Sequence, residues 1–258
     1  MNGATRYVAL GSSFGAGPGL RPRAPGSPWR AGRSAINYAH LAAGHLALDL
    51  HDATYSGARV ADILAGARQG RGQLAALDAS TALVTVTAGG NDIGYLPALT
   101  LASLPGAVRE RGRVRRRLAG LTDDGRLGDR LQQLERDLER LAIRIRAAAP
   151  SARLVLVDYL TILPSRPDPA PPLPTDVADW GRRAASGLSR TLRSVAARTD
   201  DGFVAAADAS RAHHAWSAAP WTRRFHYSLR GGAAYHPNAT GMANVARLLV
   251  EHLEDAAR

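Results

Sequence analysis

A chain of 258 residues, 45% of them hydrophobic, can bury one substantial α/β core and leaves little room for a second. It contains no cysteine, which excludes disulfides, thiolate metal sites and cysteine nucleophiles. The formal charge is +11 and all 33 basic residues are arginine. With no nucleic-acid-binding motif beside them, these arginines read as a compositional bias, so no nucleic-acid partner is expected.

In chain order, Tyr7–Gly11 reads as a first strand and Ile36–Leu46 as a helix. Leu48–Thr54 follows as strand two, Val60–Ala67 as a short helix and Ala82–Ala88 as strand three. Pro105–Gly120 carries six arginines and one acid, which reads as a solvated face or a mobile excursion in preference to a basic patch. Leu127, Leu131, Leu134, Leu138, Leu141 and Ile145 recur every three or four residues and predict a helix over Leu127–Ala149 with a core-facing seam. Arg153–Tyr159 is strand four, Asp176–Arg198 a helix, Gly202–Ala207 strand five and Asn238–Glu254 the last helix. The proline-rich stretch Leu163–Pro174 follows strand four and is a candidate wall for a substrate cleft. Strand–helix alternation of this kind predicts an α/β fold. The expected form is a three-layer αβα sandwich on a mainly parallel five-stranded sheet, with residues 1–258 as a single domain.

Three places carry chemistry. Ser13 stands where strand one breaks into Gly11-Ser-Ser-Phe-Gly15, a turn able to lift a hydroxyl off the sheet edge. Gly89-Gly90-Asn91-Asp92 follows strand three, and His236-Pro-Asn precedes the last helix. A nucleophile, an amide donor and a base, each at the end of an element, are the components of an acyl-transfer site. The first block formally matches the nucleophile elbow of α/β-hydrolases, but it follows the first strand with no sheet upstream of it. Other candidates are weaker. His213 and His214 are adjacent and diverge, with no acids clustered near them, so no metal is expected. Trp216 and Trp221 flank Pro220 and fit either the wall of a substrate pocket or aromatic packing under a long loop.

The order of blocks resembles the SGNH (GDSL-type) hydrolase family over about residues 6–250. Gly11-Ser12-Ser13 with Gly17 matches the first block, Gly57 the second, Gly89-Gly90-Asn91-Asp92 the third and His236 the last. The resemblance implies a metal-independent esterase without cofactors, acting on a small acyl-ester substrate. Ser13 and His236 would be nucleophile and general base. The Ser13 and Gly57 N–H groups and the Asn91 side-chain amide would form the oxyanion hole, with Gly90 and Asp92 in support. An acyltransferase would use the same acyl-enzyme, and a non-catalytic binding protein is a further alternative on the same scaffold.

Two departures bear on that reading. Ser12 replaces the family's usual aspartate, and Ala233 stands where an acid normally precedes the histidine by three residues. No Asp or Glu lies between Asp208 and Glu251, so a main-chain carbonyl of Gly231–Tyr235 is expected to orient His236 and give a Ser–His dyad. No apolar run reaches membrane-spanning length. The first residues show no charged segment followed by an apolar one, and cysteine is absent, which together predict a cytoplasmic protein.

Overall fold

The computed structural model describes residues 5–65, 72–227, 233–256 and 258. It has five strands: β1 (Arg6–Gly11), β2 (Asp49–Asp52), β3 (Thr81–Thr87), β4 (Arg153–Val157) and β5 (Gly202–Val204). They pair in the order β2-β1-β3-β4-β5, and every pairing is parallel. The three inner strands read as nearly continuous apolar runs because helices cover both faces of the sheet.

Between and after the strands come α1 (Ser13–Ala16), α2 (Tyr38–Leu46), α3 (Val60–Leu64), α4 (Tyr95–Ala102) and α5 (Gly106–Arg109). They continue with α6 (Gly112–Leu121), α7 (Asp124–Ala148), α8 (Thr175–Thr199), α9 (Ala206–Ala209) and α10 (Ala239–Asp255). Helices α2 and α10 pack together in one layer, while α3, α7 and α8 pack together in the other. The expected αβα sandwich is therefore the observed one. In α7 the seam residues Leu127, Leu134, Leu138, Leu141 and Ile145 are buried, as their spacing requires.

Several boundaries differ from the sequence expectation, each for a local reason. Helix α2 begins at Tyr38 because the Asn37 side chain accepts the His40 N–H as its N-cap. Asp123 caps α7 in the same way and starts it three residues before the leucine seam. Strand β2 is an edge strand that holds only four residues. Strand β5 stops at Val204, and the residues expected to extend it turn into α9. The short helix expected over Val60–Ala67 is seen as α3; its last two residues lie outside those described. The basic stretch 105–120 presents a solvated face, with five of its six arginines exposed. It forms α5 and most of α6, with Leu118 and Leu121 packed against the core.

The topology brings three loops to one place. Strands β1, β2 and β3 are adjacent and parallel, so the residues after each lie along the same carboxyl edge of the sheet.

Candidate active site

Ser13 leaves the sheet through a backbone that only glycine tolerates. Gly11 has φ +141°, and a Cβ there would sit 2.4 Å from the Thr87 carbonyl oxygen. The buried Gln73 amide grips the same residue from both sides, accepting the Gly11 N–H at 2.7 Å and donating to the Gly11 carbonyl at 3.0 Å. Ser12 N–H then donates to Thr87 O at 2.8 Å, and Ser13 opens α1. A residue in that position has an N–H with no carbonyl partner inside its own helix.

His236 is held opposite. Its Nε2 lies 2.7 Å from Ser13 Oγ, and its Nδ1 lies 2.8 Å from the Ala234 carbonyl. A carbonyl can only accept, so Nδ1 carries the proton and Nε2 presents its lone pair to the Ser13 hydroxyl. The acceptor belongs to the segment 231–235, whose first two residues lie outside those described. Tyr235 makes the contact possible: its left-handed φ of +63° folds the preceding carbonyl back beneath the ring. The segment is pinned further along, where Arg223 N–H donates to His236 O and Asn238 caps α10 while bonding Pro220 O. Burial is the main influence on the imidazole and pushes its pKa down to about 4. The Ala234 hydrogen bond raises it in part, and the Arg223 charge lowers it again.

The other two blocks interlock with these. Tyr55 N–H donates to Gly11 O, tying the loop after β2 to the end of β1. Gly57 in that loop has φ +81°, a conformation that L side chains rarely adopt. Asn91 donates one amide N–H to Ala58 O at 3.0 Å, which fixes its orientation and leaves the second N–H. Asp92 accepts the Val60 N–H at the start of α3 through Oδ1. Its Oδ2 is buried and has no partner among the described residues. Burial dominates and raises the Asp92 pKa to about 6, against the lowering effect of the Val60 and Asp92 N–H groups.

That shift has a measurable sign. A carboxyl whose folded pKa is raised binds more protons in the native than in the unfolded chain, so its contribution to stability falls as pH rises from about 4 to about 6. Asp92→Asn is expected to gain about 1–3 kcal/mol relative to the parent between those limits. Urea unfolding of both proteins at the two pH values checks this, because other titrating groups cancel in the difference. Parallel pH dependences would show that the Asp92 pKa is the same in the native and unfolded chains.

Ser12 replaces the usual aspartate by a longer relay. Its hydroxyl lies 3.1 Å from the Tyr159 hydroxyl, which also accepts the Gly90 N–H at 3.0 Å. The Tyr159 ring packs on Phe14 and Phe14 packs on His236, so one buried aromatic column touches the first, third and last blocks. Gln73, Tyr159 and Phe14 were not legible as site residues. Nothing in their local sequence marks them, since their role comes from contacts with residues far away in the chain.

Ser13, Gly57, Asn91 and His236 share a cavity of about 410 Å³. Its remaining walls are mainly apolar, including Pro18, Leu96, Pro97, Leu101 and Ala233, with Arg117 among them. Two candidate walls lie elsewhere. The proline-rich loop lines a different cavity of about 500 Å³ beside Asp158, because it turns away over α8. Trp221 is buried in a stack on His213 with centroids 4.4 Å apart, and Trp216 bonds Pro171 O through its indole N–H. Among the described residues no three acids or histidines cluster in a way that would hold a metal ion.

Residues 9–243 match the model of the GDSL-like lipase/acylhydrolase family. The chain belongs to this family. This GDSL-like chain is 31% identical to Lipase 2 of Streptomyces coelicolor, over 96% of its own length and 84% of that protein. It is 29% identical to a lipase of Streptomyces rimosus, over 93% and 83% respectively. The solved extracellular lipase of S. rimosus superposes with a TM-score of 0.78 at 27% identity, covering 98% of this chain and all of that one. Phospholipase A1 of Streptomyces albidoflavus shares the fold at the same TM-score, with 24% identity over 98% and 99% of the two chains. As a GDSL-like hydrolase it is an enzyme of ester hydrolysis. The cytoplasmic expectation is corrected, since the solved relative is an extracellular enzyme. Absence of cysteine cannot decide the matter, because a chain without thiols offers nothing for either redox environment to act on. Among the described residues no helix is long and apolar enough to cross a membrane.

Proposed function

We propose that the chain acts outside the cell as a single catalytic domain that hydrolyses carboxylic esters through an acyl-enzyme on Ser13. The contact that carries this reading is Ser13 Oγ to His236 Nε2 at 2.7 Å, with the second ring nitrogen already committed to Ala234 O. His236 takes the serine proton as Oγ attacks the acyl carbon, then returns it to the leaving alkoxide. The carbonyl oxygen that gains charge is received by the N–H groups of Ser13 and Gly57 and by the free N–H of Asn91. Water, deprotonated by the same imidazole, releases the acid. Leu96, Pro97 and Leu101 supply the apolar wall against which an acyl chain lies.

The decisive experiment is labelling with a fluorophosphonate followed by peptide mapping. One adduct on Ser13 is expected; an adduct on Ser12, or none, overturns the assignment. Asn91→Ala is expected to lower kcat by two to three orders of magnitude with KM nearly unchanged, because its free N–H acts on charge present only in the transition state. A change confined to KM would make Asn91 a substrate-binding group.

A further inference from the structure

Several arginines of this surface have a counter-charge. Arg146 meets Asp201, Arg183 meets Asp124, Arg198 meets Glu135 and Glu139, and Arg247 meets Glu251. Arg193 and Arg211 share Asp208. Compositional bias accounts for such residues, because each has a counter-charge.

Other arginines meet no carboxylate: Arg126, Arg144 and Arg190 lie on α7 and α8, and a group of them gathers around the mouth of the Ser13 cavity. Pro18 and Ser56, two walls of that cavity, also line a neighbouring hollow of about 290 Å³ with Arg21, Arg23, Trp29 and Arg30. Trp29 is 70% exposed, and the Arg23 guanidinium lies 4.8 Å from its ring centroid. From α6, Arg117 reaches the same cavity, with Arg113 one turn before it on that face. Among the described residues, which include every Asp and Glu of the chain, Arg21, Arg30, Arg113 and Arg117 meet no carboxylate.

A ring of unopposed cations around an apolar opening, with an exposed indole on the rim, matches a surface offering negative charge above an apolar layer. We propose that this mouth is the docking face for an anionic lipid surface. Trp29 seats at headgroup level, and Arg21, Arg30 and Arg117 pair with headgroup phosphates. The inference deepens the ester-hydrolase reading by naming where its substrate is presented, but docking itself needs no turnover.

The test therefore uses Ser13→Ala protein. It is sedimented with phosphatidylcholine vesicles and with vesicles containing about 30% phosphatidylglycerol, at about 0.15 M salt. Binding to the anionic vesicles is expected to be at least about tenfold tighter. Arg21→Glu with Arg30→Glu is expected to weaken it by about twentyfold or more. Trp29→Phe is expected to abolish the blue shift of tryptophan fluorescence on binding. In the Ser13-intact protein, both sets of changes should leave kcat/KM on a short water-soluble ester unaltered. Equal binding to neutral vesicles, or none to either kind, overturns the proposal. So does a Trp29→Phe protein whose blue shift persists, since bulk charge alone would then explain the attraction. Failure of the serine assignment would register separately, as absent hydrolysis of the soluble ester.

Discussion

Ser13→Ala is expected to remove ester hydrolysis by on the order of five to six powers of ten in kcat while the protein stays folded. Ser13 is only half-buried, and its hydroxyl makes one contact, to His236, so no packing is lost with it. His236→Ala should cost a similar factor, since the hydroxyl is a weak nucleophile until its proton has a destination. The double variant is expected to be no slower than either single one, because the two side chains act as a unit. Kinetics of the three proteins on one soluble ester, with circular dichroism as the control for folding, check this. Multiplying losses in the double variant would mean that the two residues serve separate steps.

The second large effect concerns pH. His236 must be neutral to accept the serine proton, and its pKa lies at about 4. At pH 7 only about one molecule in a thousand carries the imidazolium. For the free enzyme, kcat/KM is therefore expected to be flat from about pH 6 to 8 and to fall about tenfold per pH unit below about pH 4. An ordinary histidine would place that limb near its unperturbed value of about 6.5. Rates in overlapping buffers, at acid pH values where the fold persists, separate the two outcomes. A limb near 6.5 would mean that water solvates the ring or that a carboxylate reaches it. The same burial disfavours the imidazolium formed during attack, so Ala234 O and the bound substrate must offset a charge that a full triad would meet with an anion.

How far the sequence could be read depended on whether the signal was local. Strands β1, β3 and β4 were legible because both faces are buried and their runs are apolar throughout. Ser13, Gly57, Asn91 and His236 stand out as candidates because each lies beside a break in such a pattern, and the structure gathers all four at one cavity. Helix α6 was not legible, since arginine at four of the ten positions hides the Val114, Leu118, Leu121 spacing that turns it inward. The tryptophans stayed undecided between pocket wall and loop packing because stacking on His213 and a bond to Pro171 depend on how a long loop returns, which no short window encodes. The relay from Ser12 through Tyr159 to Gly90 joins three segments far apart in the chain and became visible only in three dimensions.

The contact from His236 Nδ1 to the Ala234 carbonyl has a consequence for anyone surveying this enzyme by mutagenesis. An aspartate in that role can be deleted by one codon change and would stand out in any alanine scan. A main-chain oxygen survives every side-chain exchange at position 234, so the orienting partner of the base is invisible to such a scan and shielded from most single mutations. Its vulnerability has moved next door, to the left-handed turn at Tyr235. There a β-branched residue, which resists positive φ, would do to the imidazole what removal of the acid does in a triad.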